Sequence, residues 1–387
     1  MVRFMHASAV MKRIILSICL FLGVHATVAA ADRDDERMRA FVMGLPKAEL
    51  HLHMEGTMEP ELFLAIARRN GIDVPYDSPE AVKDRLRAAH DLPSFIEIYE
   101  ELISVVEQPE DIRDITLAYY RKAYSQGVRH AEMYFDPQLH LERGMTLEMV
   151  FDGLAAGRAA AMQEMDITIG FIMAFLRDRP AADAMAVLEA AEPWHGQLLG
   201  VGLDNPEVED FHLKFEPVFK RAASYGLRLT SHCDVQQEHT IKHHWGVIEV
   251  LGVERIDHGL NVIDDPELLK EVKARGIGLT GVPSLFYRDM PGRMEYRAGA
   301  VKALLDAGAE MSIHSDDPGM KRGLYIGDLM LRAREAAGMT REDMITLSKN
   351  SFRTAWISED ARARYLRMID DYVAAFDEAH PEMVSVP

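Results

Sequence analysis

Short apolar runs rich in β-branched and aromatic residues recur along the chain, and between them apolar positions return at helical spacing. The runs predict strands at Ala48–His53, Val128–Phe135, Ile167–Phe175, Leu198–Leu203, Leu227–His232, Arg255–His258, Gly276–Val282 and Glu310–His314. Helical stretches such as Lys214–Ser224, Thr240–Leu251, Pro266–Arg275 and Ala300–Ala307 separate them. Alternation of this kind predicts an α/β fold with a parallel sheet, and eight such units predict a (β/α)8 TIM barrel. The alternative is an open doubly wound sheet. No Gly-x-Gly-x-x-Gly follows a predicted strand, which weakens its dinucleotide-binding version. The long gap between the first two strands reads as helical at Pro60–Arg69, Pro79–Ala89, Phe95–Val106 and Glu110–Ser125, predicting a helical insertion over the barrel mouth. A helical tail is expected after Thr340. No Pro/Gly/Ser-rich linker interrupts the pattern, so one domain is expected.

The N-terminus breaks this pattern. Met11-Lys12-Arg13 is basic, and Ile14 to Val24 is an apolar run of signal-peptide length, too short to span a bilayer comfortably. Small residues follow at 26–31, then a strongly charged segment. We expect a secretory signal peptide over residues 1–30, cut near Ala30 or Ala31, and a single barrel domain over 31–387. A membrane anchor is the alternative. The ten residues upstream of Met11 suggest a start at Met11. The mature chain is then periplasmic or secreted, with no stable membrane association.

Composition narrows the partners. The 387 residues are 48% hydrophobic and 27% charged, as in a folded globular protein. There are 43 Lys and Arg against 62 Asp and Glu, a formal net charge of -19. Residues 1–30 hold Arg3, Lys12 and Arg13 and no acidic residue, so cleavage takes -19 to -22. Such a surface repels phosphate backbones, which argues against nucleic acid and anionic membranes. The only cysteines, Cys19 and Cys233, exclude a disulfide framework or a Cys-rich zinc module.

Candidate chemistry gathers at the C-terminal ends of predicted strands. In Glu49-Leu50-His51-Leu52-His53, residues two apart on a strand point the same way, so His51 and His53 would both face the barrel interior at its upper rim. Alone, the pair reads equally well as two structural histidines. His232 ends the fifth predicted strand, His258 the sixth, and Asp316-Asp317-Pro318 follows the eighth. Barrel enzymes place their catalytic residues at these positions. Three histidines and a carboxylate suit zinc, which takes nitrogen and oxygen ligands and keeps an open position for water. His239 and His243, four apart on a predicted helix, lack the Glu of a His-Glu-x-x-His site and read as a solvated face.

These segments resemble the adenosine/adenine deaminase family of the metal-dependent amidohydrolases. The resemblance runs from about Leu45 to Trp356 and rests on residues 45–57, 132–140, Gly200-Val201-Gly202-Leu203-Asp204, Arg255-Ile256-Asp257-His258-Gly259 and Ser315-Asp316-Asp317-Pro318. Phe135-Asp136-Pro137-Gln138 is closer to the adenine-type branch. The resemblance implies one zinc on His51, His53, His232 and Asp316, and a water oriented or deprotonated by His258. It also implies a hydrogen bond from Asp317 to N7 of a purine, and attack at C6 with loss of the exocyclic amine. Glu207 matches an acidic position of the adenine branch, where a carboxylate accepts N9–H of a free base; a solvated loop carboxylate is the alternative.

Two departures matter. Family members carry a Glu three residues after the fifth-strand histidine, which protonates N1; here that residue is Val235. The general acid is therefore relocated to Asp234 or Glu238, or lost. After the seventh strand, Val282-Pro283-Ser284-Leu285-Phe286-Tyr287 is bulkier and more apolar than the family pattern. With Met290, Met294 and Met320 nearby, it suggests either a mouth accepting an N6-alkyl group or ordinary loop packing. The expected function is zinc-dependent hydrolytic deamination of adenine or an N6-substituted adenine. The rivals are an adenosine deaminase, the same fold hydrolysing an amide or ester, and a catalytically impaired, secreted purine-binding homologue.

Overall fold

A computed structural model describes residues 34–233, 238–284 and 293–383. The expected signal peptide, Asp234, Val235 and most of the apolar segment after the seventh strand lie outside the described residues. Eight strands form, β1 (Lys47–Glu49), β2 (Val128–Phe135), β3 (Thr168–Leu176), β4 (Leu198–Asp204), β5 (Arg228–Cys233), β6 (Arg255–His258), β7 (Gly278–Gly281) and β8 (Met311–Ile313). They pair in chain order, each parallel to its neighbours. Helices separate them and cover the sheet, giving a (β/α)8 barrel. Covering both faces explains the nearly continuous apolar runs: in β3, every residue from Gly170 onward is buried. Gly200 in β4 has a steric reason, since a Cβ there would lie 2.3 Å from Arg228 O of the next strand.

The predicted insertion forms as helices Pro60–Asn70, Pro79–Arg87, Leu92–Ile103 and Pro109–Ser125. The last packs against helix Leu147–Glu164 and belongs to the barrel's outer ring. Their starts were legible because proline occupies the first turn of each, and Ser78 and Asp91 cap the second and third. The tail consists of helices Arg341–Thr354 and Glu359–Ala379, capped by Thr340 and Ser358.

β1 is shorter than expected. Pairing stops at Glu49 because Leu50 N–H donates to His314 Nδ1 at 3.0 Å instead of to a strand. The chain then engages both neighbours again. His53 N–H donates to Asp316 O and Asp316 N–H to His51 O, each at 3.0 Å, while Tyr134 N–H donates to Leu52 O at 2.8 Å. The bridge Leu52–Asp316 thus joins the two ends of the sheet at the upper rim, within the segments that carry the candidate ligands.

Deeper in the barrel lies a buried ion pair. Arg255 of β6 donates to Glu132 of β2 at 2.5 Å, and Glu132 also accepts from Trp356 N–H and from His130 Nε2. The Arg255 guanidinium stacks on Trp356, 3.8 Å from the ring centroid. No helix among the described residues is long and apolar enough to cross a membrane.

Candidate active site

The rim brings the predicted residues together. His51 and His53 follow β1, His232 lies in β5, His258 ends β6 and Asp316 follows β8; all five are buried. His53 Nε2 and His232 Nε2 stand 3.0 Å apart. Asp316 Oδ1 lies 3.7 Å from His51 Nε2 and 3.6 Å from His53 Nε2. Donor atoms sharing one zinc at ordinary bond lengths stand about 3–4 Å apart, so these three distances suit a shared ion. His51 belongs to two groups able to hold a metal, one with His53 and His232 and one with His258 and Asp316. His51 Nε2 makes no hydrogen bond, although His51 is fully buried. Its other nitrogen, Nδ1–H, donates to Thr280 O at 3.0 Å, which fixes the tautomer and leaves Nε2 bare toward the cluster.

The outer nitrogens of the other two histidines are oriented in the same way. His53 Nδ1 faces Asp204 Oδ2 at 3.5 Å and His232 Nδ1 faces Asp257 Oδ2 at 3.4 Å. Asp257 is held by Tyr134, Thr230 and Thr280, each hydroxyl donating at 2.8 Å. Burial lowers His51 to a pKa of about 4, so it is neutral and able to bind a cation. Burial opposes ionisation of Asp316, yet Lys321 and the surrounding imidazoles hold it well below the ordinary carboxylate range.

His258 sits beside the cluster, its ring 4.7 Å from that of His51 and its Nε2 4.0 Å from Asp316 Oδ2. His258 and Asp316 both adopt positive φ, 63° and 65°. Non-glycine residues rarely do so, and such local strain concentrates at functional sites. Asp317 is buried next to Asp316 and packs on Gly56, where a Cβ would fall 1.9 Å from Asp317 Oδ1. Glycine is required there because the carboxylate takes the space.

Glu207 is also buried, but its carboxylate is engaged: His243 Nδ1 donates to Oε2, and Arg177 approaches Oε1 at 4.0 Å. The solvated-loop reading of Glu207 does not hold, nor does the solvated-face reading of His243, whose side chain is 2% exposed against 49% for His239. Glu238 is not brought to the cluster. It stands in a turn before helix Thr240–Gly246, 90% exposed, beside His239. Met320 is fully buried, as ordinary packing predicts.

Sequence reasoning missed several polar groups. Lys321 Nζ donates to Asp316 Oδ2 at 2.6 Å and faces Asp317 Oδ2 at 3.0 Å. A buried chain runs from His140 through Glu55, Tyr99 and Asp136 to Asp204 beside His53. Burial and the neighbouring Asp204 and Glu55 charges raise Asp136 well above the carboxylate range, and burial lifts Asp204 to about 6. Glu55, Asp136, Asp204 and Asp257 stand in the quoted motifs and so carried a signal; Lys321 and Tyr99 carried none.

A barrel rim with three histidines, one aspartate and a further histidine beside them defines a metal-dependent hydrolase. The adenosine deaminase family model matches residues 46–372. Adenine deaminase of Streptomyces coelicolor is 40% identical over 335 residues, covering 86% of this chain and 96% of that protein. An uncharacterized deaminase of Schizosaccharomyces pombe is 40% identical over 337 residues, 87% of this chain and 98% of that one. Among solved structures, adenine deaminase from Arthrobacter aurescens superposes with a TM-score of 0.78 at 33% identity, covering 85% of this chain and 99% of that one. The chain belongs to the adenosine deaminase family, and it is a metal-dependent hydrolytic deaminase.

Proposed function

We propose that the protein deaminates a purine base at C6, with adenine or an N6-substituted adenine as substrate and one zinc as its metal. The observation that carries this reading is the convergence of His51, His53, His232 and Asp316 beside His258 and Asp317. The adenine deaminases of Streptomyces coelicolor and Arthrobacter aurescens support the substrate class. A zinc held by the four ligands would supply Lewis-acid chemistry that makes water nucleophilic near neutral pH. His258 orients the attacking water and takes its proton. Asp317, whose carboxyl is held toward its protonated form by burial and by the neighbouring Asp316, donates to N7, and Glu207 accepts N9–H of a free base. As the water oxygen bonds to C6, N1 gains a proton. Of the two acids considered for that step, Glu238 faces solvent, so we assign it to Asp234. The proton taken by His258 passes to the exocyclic nitrogen, the new hydroxyl returns one to Asp234 as the C6=O bond forms, and the C6–N bond breaks to release ammonia or an alkylamine.

The test is release of ammonia or amine from adenine, N6-alkyl adenines and adenosine by the zinc-loaded protein. Free bases are expected to exceed adenosine by about 100-fold or more in kcat/KM, because a sugar at N9 removes the N–H that Glu207 accepts and puts bulk in its place beside a buried carboxylate. Preferential turnover of adenosine, or no turnover of any purine, would overturn the reading.

We further propose that the leader is cleaved and the mature protein exported. N-terminal sequencing of protein from a secreting bacterial host is expected to begin at residue 31 or 32; an intact N-terminus on cytosolic protein would refute export.

A further inference from the structure

Two side chains from different parts of the rim meet at Glu207. Arg177, immediately after β3, is buried, and its guanidinium lies 4.9 Å from the Phe211 ring centroid. Its Nε–H donates to Asn205 O beyond β4 at 2.7 Å, and Nη1–H donates to His232 O in β5 at 2.5 Å. The same guanidinium faces Glu207 Oε1 at 4.0 Å. One planar fork therefore ties the ends of three strands to each other and to this carboxylate. From the other side, helix Thr240–Gly246 delivers His243, whose Nδ1 donates to Glu207 Oε2. Both partners are almost fully buried, 2% and 1% exposed. A buried carboxylate is expensive unless hydrogen-bonded and charge-compensated, and here both conditions are met.

We propose that Arg177 and His243 are positioning residues that hold the Glu207 carboxylate at a fixed offset from metal ligand His232. They thereby set the preference for a purine with a free N9–H over its nucleoside. The proposal rests on the reading of Glu207 as the acceptor of that proton. Arg177 sets the offset through His232 O, and His243 fixes the carboxylate rotamer. Asparagine at 243 retains an N–H close to the position of Nδ1, whereas leucine removes the donor.

The experiment compares His243→Leu, His243→Asn, Arg177→Lys and Glu207→Gln in the zinc-loaded protein. It measures KM and kcat for adenine and adenosine, with zinc content and near-UV circular dichroism as controls. His243→Leu is expected to raise KM for adenine about 10- to 100-fold, with kcat within about threefold. Arg177→Lys should move KM in the same direction, and His243→Asn should restore most of the loss. If His243→Leu does not fold, His243→Gln takes its place with the same expectation of a raised KM. Unchanged KM and base preference in the position-243 variant, while Glu207→Gln abolishes the preference, would overturn the proposal and leave the role of Glu207 standing. No effect of Glu207→Gln would instead remove the role of Glu207, and the proposal with it. Should the native protein turn over no purine, adenine binding by calorimetry replaces KM; equal affinity of the native protein and His243→Leu would refute the positioning role.

Discussion

Replacing His51 by alanine is expected to empty the site of its metal and to lower turnover by about a thousandfold or more. The Lewis-acid contribution of a bound metal is several kcal/mol, and each 1.36 kcal/mol is a factor of ten in rate. His51 is the ligand whose role is most narrowly defined. It is fully buried, its Nδ1–H is committed to Thr280 O, and its Nε2 faces the other donors with no hydrogen bond of its own. Alanine leaves two imidazoles and a carboxylate, one donor fewer than the proposed set. Asp257→Asn keeps all four ligands but replaces one of the carboxylate oxygens that His232 Nδ1 and the Tyr134, Thr230 and Thr280 hydroxyls face, so a smaller loss of about 10- to 100-fold in metal affinity is expected. Elemental analysis of the purified variants, paired with ammonia release, reads both effects. One equivalent of tightly held metal and near-native turnover in His51→Ala would show that the ion is held elsewhere.

Glu132→Gln is expected to cost about 3–5 kcal/mol of stability at neutral pH, because it leaves the Arg255 guanidinium buried without its counter-charge. The pH dependence has a definite sign. Burial works against the Glu132 carboxylate, but Arg255 and then His130 outweigh it and hold the pKa at about 2. A carboxylate whose folded pKa lies below its unfolded value stabilises the protein above the unfolded pKa, about 4.3, and loses that contribution as the pH falls. The gap between native protein and variant should thus be constant near neutrality, narrow below about pH 4.5 and close near pH 2. Urea unfolding followed by circular dichroism at several pH values measures it. A gap that persists to pH 2 would mean that the ion pair is not its source. Replacing both partners by apolar residues of similar size is expected to recover much of the loss.

The barrel was legible because its signals are local. β2 and β6 match the predicted strands to the residue; Gly127 and Asp136-Pro137 bound β2, and Gly259 closes β6. The placement of His232 in β5 and of His258 at the end of β6 follows from the polarity of a parallel barrel, whereas His51 and His53 lie beyond β1, where the chain makes the isolated bridges Leu52–Asp316 and His53–Tyr134. The end of β1 was not legible, because it depends on His314 capturing Leu50 N–H from far along the chain. Likewise, the burial of His243 was not legible, because it depends on a carboxylate thirty-six positions away.

Local pattern and residue chemistry thus determined the eight-unit barrel, the rim that carries the chemistry, and the histidines and aspartates that gather there. Only the tertiary structure decided what orients and charges them: Thr280, Asp204 and Asp257 behind the histidines, Lys321 on the two aspartates, and Arg177 and His243 around Glu207. The physical reason is that hydrophobic periodicity is written into neighbouring residues, whereas a buried polar group takes its charge and direction from partners that only the closed barrel brings within hydrogen-bonding distance.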